Sequence, residues 1–187
     1  MSTQAKMFNR KAADPKNKPD QILETLALLQ GQIVADIGAG GGYFSFKLAE
    51  LVGREGKVLA VDTNSGFLEF IKSGCREREL DNIETVLVTE EDLTLPASVD
   101  LVFMRNVCHH IPNRPEYFRK LKSFLKPDGR VAIVEYRSAR RVSFRGMFGH
   151  YVPKEQIIKE MREAGYQLQK AFDFLPDQSL AIFSLHK

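Results

Sequence analysis

The sequence predicts an α/β fold: a doubly wound, mostly parallel sheet of seven strands that ends in an antiparallel hairpin, a three-layer sandwich with helices on both faces. Three observations carry that expectation. Short apolar runs alternate with segments of helical period from Ile33 to Val134. Val99 to Met104 is almost wholly apolar, as expected of a strand buried on both faces of a parallel sheet. The last two apolar runs, Leu168 to Phe174 and Leu180 to Leu185, have only Pro176-Asp177-Gln178-Ser179 as a turn between them. That is a hairpin spacing, because a parallel crossover needs about a dozen residues or more.

Taken in order, residues 1–18 show little periodicity, with Met7-Phe8 as an anchor at most. Pro19 and Asp20 precede a helical pattern of Ile22, Leu23, Leu26 and Leu29 that ends near Gly31. Ile33 to Ile37 is the first strand, and a helix with Phe44, Leu48, Leu51 and Val52 on one side stops at Gly53. Lys57 to Val61 is the second strand, ending in Asp62; Asn64 and Ser65 are suited to cap the following helix, which carries Phe67, Leu68 and Ile71. Ile83 to Val88 is the third strand and Val99 to Met104 the fourth. Asn113 with Glu116 reads as a capping box for a helix bearing Tyr117, Phe118, Leu121 and Leu125. Lys126-Pro127-Asp128-Gly129 has the residues of a type I turn, and Val131 to Val134 is the fifth strand. A helix from Pro153 to Ala164, closed by Gly165, leads into the hairpin. One domain is expected over residues 1–187: a cap segment and helix (1–31), a ligand-binding core (32–136), a lid (137–152) and the closing helix and hairpin (153–187).

The stretch Val34-Ala35-Asp36-Ile37-Gly38-Ala39-Gly40-Gly41-Gly42-Tyr43-Phe44 reads as strand, tight turn and helix, with a nucleotide-sized ligand on the turn and on the helix N-terminus. A dinucleotide fingerprint G-x-G-x-x-G does not fit. Counted from Gly38 the third glycine is replaced by Tyr43, and counted from Gly40 by Ser45. The pattern is D-x-G-x-G, with Asp36 at the strand end. A carboxylate there meets a cation and repels a pyrophosphate. The ligand implied is nucleoside-like with a positive group, and S-adenosylmethionine, with its ammonium and sulfonium, matches. Asp62 lies 20 residues beyond Gly42, the offset at which a carboxylate meets a ribose diol. Thr89, Glu90, Glu91 and Asp92 follow the third strand, where side chains face the adenine end of such a ligand.

Composition bounds the remaining classes. With 43% hydrophobic and 27% charged residues the chain is an ordinary globule, and its longest apolar runs are strand-length, so no membrane-spanning helix is expected. The N-terminus lacks the apolar run of a secretory signal, and Cys75 and Cys108 are too few for a disulfide framework, which points to the cytoplasm. The net charge of +3 is uneven: residues 1–20 carry five basic and two acidic groups, and residues 137–150 carry four arginines and no acid. The first basic segment reads as a solvated tail, the second as a surface for an anionic substrate. No metal-ligand spacing is recognisable, since His109 and His110 are adjacent, which orients them apart.

Four blocks, VADIGAGGGYFSFKLAE (34–50), GKVLAVDTN (56–64), VDLVFMRNVCHHIPN (99–113) and LKPDGRVAIVE (125–135), make residues 20–187 resemble the class I S-adenosylmethionine-dependent methyltransferases, with their Rossmann-like sheet. Within them the chain looks most like the small-molecule branch related to the ubiquinone/menaquinone C-methyltransferases. That resemblance implies a methyltransferase using S-adenosyl-L-methionine and releasing S-adenosyl-L-homocysteine. It places Asp36, Gly38, Ala39, Gly40 and Tyr43 around the methionine part, Asp62, Thr63 and Asn64 at the ribose, Thr89 to Asp92 near the adenine, and Arg105 and Asn106 beside the methyl donor. Thr89 and Glu90 stand where the family usually has an acid followed by a small residue.

The chemistry asks little of side chains, because a sulfonium is already an activated leaving group. Alignment is worth about 7–11 kcal/mol, whereas a general base adds a factor of roughly 10²–10⁴. If a base acts, it is His109 or His110. Glu135, Tyr136, Arg141, Phe144 and His150 are the candidate acceptor contacts. The acceptor expected is a small molecule, anionic by the arginines of 137–150. Two other readings stay open on sequence alone. One is an RNA-directed methyltransferase, in which the interleaved arginines and aromatics stack on nucleic acid. The other is a cofactor-binding module without turnover. A nicotinamide dehydrogenase lacks its third glycine.

Overall fold

A computed structural model describes residues 3–89, 93–137 and 151–186. Helix α1 (Thr3–Ala13) and a 3-10 turn (Pro15–Asn17) lead into α2 (Pro19–Leu26). The alternation then runs β1 (Ile33–Ile37), α3 (Tyr43–Val52), β2 (Lys57–Asp62), α4 (Ser65–Arg78), β3 (Ile83–Leu87), β4 (Val99–Arg105), α5 (Arg114–Leu121), β5 (Leu125–Tyr136), α6 (Lys154–Glu163), β6 (Tyr166–Phe172) and β7 (Gln178–Leu185). The strands form one sheet in the order β3-β2-β1-β4-β5-β7-β6. The first five strands pair in parallel, and β7 runs antiparallel to both β5 and β6. The seven-stranded, mostly parallel sheet with its closing hairpin is the fold the alternation predicts.

Alternation of side chains across the strands builds two cores. Ala35, Ile37, Leu59, Val61, Val102, Met104 and Ile133 face one way and pack against Phe118 and Leu121 of α5 and Ile157 and Met161 of α6. Val34, Val58, Leu101, Phe103, Ala132 and Val134 face the other way, against Ile22 and Leu26 of α2 and Phe44, Leu48 and Val52 of α3. A smaller cluster joins Phe46 of α3 to Leu68, Ile71 and Cys75 of α4 over Ala60 of β2. Helices therefore cover both faces, which is why the central strands read as continuous apolar runs. The direction of strand addition reverses between β1 and β4, and a crevice opens outside the carboxyl ends of the strands at such a reversal.

Several local expectations are corrected. Residues 3–13 and 15–17 are helical, and the pattern is weak because the described residues that α1 buries are alanines, Ala5 and Ala12. Helix α2 starts at Pro19 and ends at Leu26 with Ala27 in a left-handed cap, so Leu29 is 68% exposed and Leu51 of α3 is 41% exposed. Asn113 makes no side-chain capping bond, and Glu116 pairs with Arg119 instead of reaching back. Leu125 does not extend α5; it opens β5 after a 3-10 turn. Residues 126–129 are an excursion within β5, whose pairing with β4 jumps from Leu125 to Arg130.

Candidate functional site

The site grows from the turn between β1 and α3. Gly38 (φ 74), Gly40 (φ 56) and Gly42 (φ 83) all lie in the left-handed region, which side chains with a Cβ rarely adopt. At Gly38 space is also refused: a Cβ would fall 2.3 Å from a methyl of Val107. Gly38 and Ala39 both donate their N–H groups to the Val61 carbonyl of β2, at 2.8 and 3.1 Å, which ties the turn to the neighbouring strand.

Two carboxylates meet this turn. Asp62, at the tip of β2, accepts from the Gly40 N–H through Oδ2 (2.8 Å) and from the Asn64 N–H through Oδ1 (2.9 Å). Each oxygen keeps a second lone pair. Asp36, at the end of β1, is 3% exposed and accepts from the Ser45 hydroxyl at 2.6 Å. Burial raises its carboxyl from 3.8 to about 7; Asp62 pushes the same way, and Ser45 and Arg105 oppose. Asn64 directs its side-chain oxygen to the N–H groups of Gly66 and Phe67, capping α4 as its sequence position implies. Thr63 and Thr89 are exposed beside the tips of β2 and β3. Glu90, Glu91 and Asp92 lie outside the described residues.

Across the reversal, Arg105 closes β4 with its guanidinium 5.3 Å from the Phe44 ring. Its Nε is buried and has no hydrogen-bond partner among the described residues, and burial lowers its pKa against the pull of Tyr136 and Asp36. Tyr43 sits edge-on to Phe44 at 5.2 Å, and beside it a cleft of about 410 Å³ opens onto Lys18 and Asp20. Asn106 adopts φ 56; its N–H donates to the Val134 carbonyl and its side-chain oxygen accepts from Gln178.

On the opposite face of the sheet tips, His109 places Nδ1 3.1 and 3.2 Å from the two oxygens of Glu135. Glu135 is fully buried at the end of β5 and also accepts from the Tyr136 N–H at 2.9 Å. His109 and His110 are not splayed: their rings lie 4.1 Å apart, because both belong to one short 3-10 turn (Cys108–His110) and His109 is held by Glu135. Cys108 is buried, and burial raises its thiol well above the ordinary range, which keeps it un-ionised. Tyr136 is half-buried at the tip of β5. Arg141, Phe144 and His150 lie outside the described residues, as does the expected lid except for Arg137, Tyr151 and Val152. Among the described residues no group of three or more His, Cys, Asp or Glu gathers for a metal ion, and no helix is long and apolar enough to cross a membrane.

Sequence reasoning missed Ser45, Val107 and Gln178, whose roles depend on partners 9, 69 and 72 residues away. It also missed Asn9, whose side chain spans 32 residues to reach Gly41.

A family model described as "Methyltransferase domain" matches residues 28–174. The demethylmenaquinone methyltransferase of Lactococcus lactis is 29% identical over 169 residues, covering 84% of this chain and 65% of that protein. The ubiquinone/menaquinone biosynthesis C-methyltransferase UbiE of Shewanella frigidimarina is 24% identical over 163 residues, covering 83% of this chain and again 65% of the relative. The chain thus spans just under two thirds of the length of these relatives. A crystal structure of a SAM-dependent methyltransferase from Aquifex aeolicus superposes with a TM-score of 0.86 at 21% identity, covering 96% of this chain and 95% of that one. The [4+2]-cyclase SpnF shares the fold too, with a TM-score of 0.74 at 16% identity over 90% of this chain and 78% of that one. Fold alone therefore assigns no reaction.

Proposed function

The chain belongs to the methyltransferase-domain family, whose model matches residues 28–174, and from that premise we propose that it transfers a methyl group from S-adenosylmethionine to a small-molecule acceptor. The observation that carries the reading is the D-x-G-x-G turn set between two carboxylates, Asp36 and Asp62, on adjacent strand tips beside the β1/β4 reversal. The residues fit that cofactor. Asp62 has one lone pair per oxygen left for the two ribose hydroxyls, and Asp36 offers a carboxylate to a cation where a pyrophosphate would be repelled. Arg105, with its unsatisfied buried Nε, has a donor to give to a bound molecule.

Bound S-adenosylmethionine supplies a methyl group on a sulfonium, whose departure as a thioether needs no protonation. The chain's own task is to hold the acceptor in line and to take away its proton. His109 serves the second need. Glu135 holds the ring through Nδ1, and in the tautomer that donates from Nδ1 the Nε2 is the atom that takes the proton. Tyr136, half-buried at the tip of β5 next to Glu135, is offered as an aromatic contact for the acceptor.

Similarity to quinone C-methyltransferases favours a hydroxylated aromatic acceptor of that kind, methylated in the cytoplasm. Incubation with methyl-labelled cofactor and a panel of quinols, alongside total RNA, tests the assignment. Label is expected in a quinol product; label in RNA, or in nothing while the cofactor binds, contradicts it.

A further inference from the structure

Helix α1, which the sequence left unread, grips the glycine turn from outside. Asn9 donates through Nδ2 to the Gly41 carbonyl at 2.7 Å and accepts through Oδ1 from the Tyr43 N–H at 3.1 Å. The cap residue of α3, Gly42, has no side chain to satisfy that first turn, so Asn9 caps α3 from another helix. Gly41 is needed for α1 and not for its backbone angles: a Cβ there would fall 2.3 Å from both the Ala5 carbonyl oxygen and Asn9 Oδ1. Next to Asn9, Phe8 packs edge-on to Phe67 of α4 at 5.6 Å and reaches within 3.4 Å of where a Gly40 Cβ would be. From inside, Asp62 accepts from the Gly40 N–H. The turn is clamped between α1 on one side and the ribose-facing carboxylate on the other.

We infer that Asn9 is a positioning residue for the cofactor. Resting on the reading of the turn as the S-adenosylmethionine site, the inference adds that Asn9 fixes Gly40 to Gly42 before the ligand arrives. Glycines lose more conformational freedom on ordering than any other residue, and a turn left loose would take that loss out of the ligand's affinity. A side-chain amide donates and accepts at once, which neither Asp nor Ser reproduces in this geometry.

Two variants separate positioning from mere structural support. Asn9→Ala removes both bonds. Asn9→Asp keeps an acceptor for the Tyr43 N–H, with a negative charge that the N-terminus of α3 favours, but its carboxylate cannot donate to the Gly41 carbonyl. Calorimetric titration with S-adenosylhomocysteine is expected to show about a tenfold rise in Kd for both, the size of one or two lost hydrogen bonds. The affinity deficit of Asn9→Asp should shrink as pH is lowered toward the carboxylate's own pKa, where a proton can again be donated to the Gly41 carbonyl. Wild type that fails to bind S-adenosylhomocysteine sinks the methyltransferase reading and this inference with it. Wild type that binds, with both variants binding equally well and only Asn9→Ala melting lower, overturns the role of Asn9 alone.

Discussion

A carboxyl that is 3% exposed at the end of β1 loses most of its hydration, and burial drives Asp36 up from 3.8 to about 7 although Ser45 donates to it. The linkage follows from that direction. In the window between the unfolded and folded values the native state holds the proton and the unfolded chain does not, so stability contributed by the buried acid is present below about 4 and is lost as pH rises to about 7. Thermal melts of Asp36→Asn should therefore lack this loss, and the variant should melt several degrees above wild type on the alkaline side, at about 2–4 °C per kcal/mol for a chain of this size. A bound cation works in the opposite sense. It favours the ionised form, so S-adenosylhomocysteine affinity should rise with pH through about 7 with release of a proton, and calorimetry in buffers of different ionisation enthalpy reads that proton directly. Asp36→Asn should bind more weakly and without this pH dependence. At the same scale, Glu135→Gln removes the carboxylate that orients His109; methyl transfer should slow while S-adenosylhomocysteine affinity stays unchanged, which a single-turnover assay beside a titration checks.

Among elements, the braces between helices are as consequential as the strands. Arg114 of α5 reaches Glu160 of α6 through Nε (2.6 Å) and a second nitrogen (2.8 Å), a forked pair that fixes the helices covering one face of the sheet. Arg114→Ala strands a largely buried carboxylate and should cost about 2–3 kcal/mol in urea unfolding. Replacing both residues by methionine should recover most of that loss. The elements themselves were largely legible in the sequence, because strand-length apolar runs and glycine stops report burial on both faces of the sheet. Helix α1 was not, since its buried side consists of Ala5 and Ala12 and its fixed points, Asn9 and Phe8, answer to Gly41 and Phe67 across the fold. The carboxylate pair was legible for the converse reason: Asp36 and Asp62 each end a strand, and position along a strand is a local property. The pairing of His109 with Glu135 joins the tips of β4 and β5, and no spacing within either segment announces it. Within the turn, space is tightest at Gly38 and Gly41, where a Cβ would meet other atoms at 2.3 Å, so Gly41→Ala should disturb the turn by pushing on α1.

For the whole molecule, the candidate site residues gather at the carboxyl ends of the strands, beside the reversal of strand order between β1 and β4. The glycine turn and Asp36 come from β1, Asp62 from β2, Arg105 from β4 and Glu135 from β5. A ligand held by Asp36 and Asp62 would bear on β1, β2 and, through Asn9, the N-terminal helix. Ligand at a hundred times its Kd should then add about 2.7 kcal/mol to stability. The most direct test of the account is a calorimetric titration of the wild type and of Asp62→Ala with S-adenosylhomocysteine, with NAD as the control ligand. Saturable one-to-one binding by the wild type, a large loss of affinity in Asp62→Ala with the fold retained, and no heat with NAD are expected. Binding of NAD, no binding of S-adenosylhomocysteine, or an unchanged Kd in Asp62→Ala would contradict it.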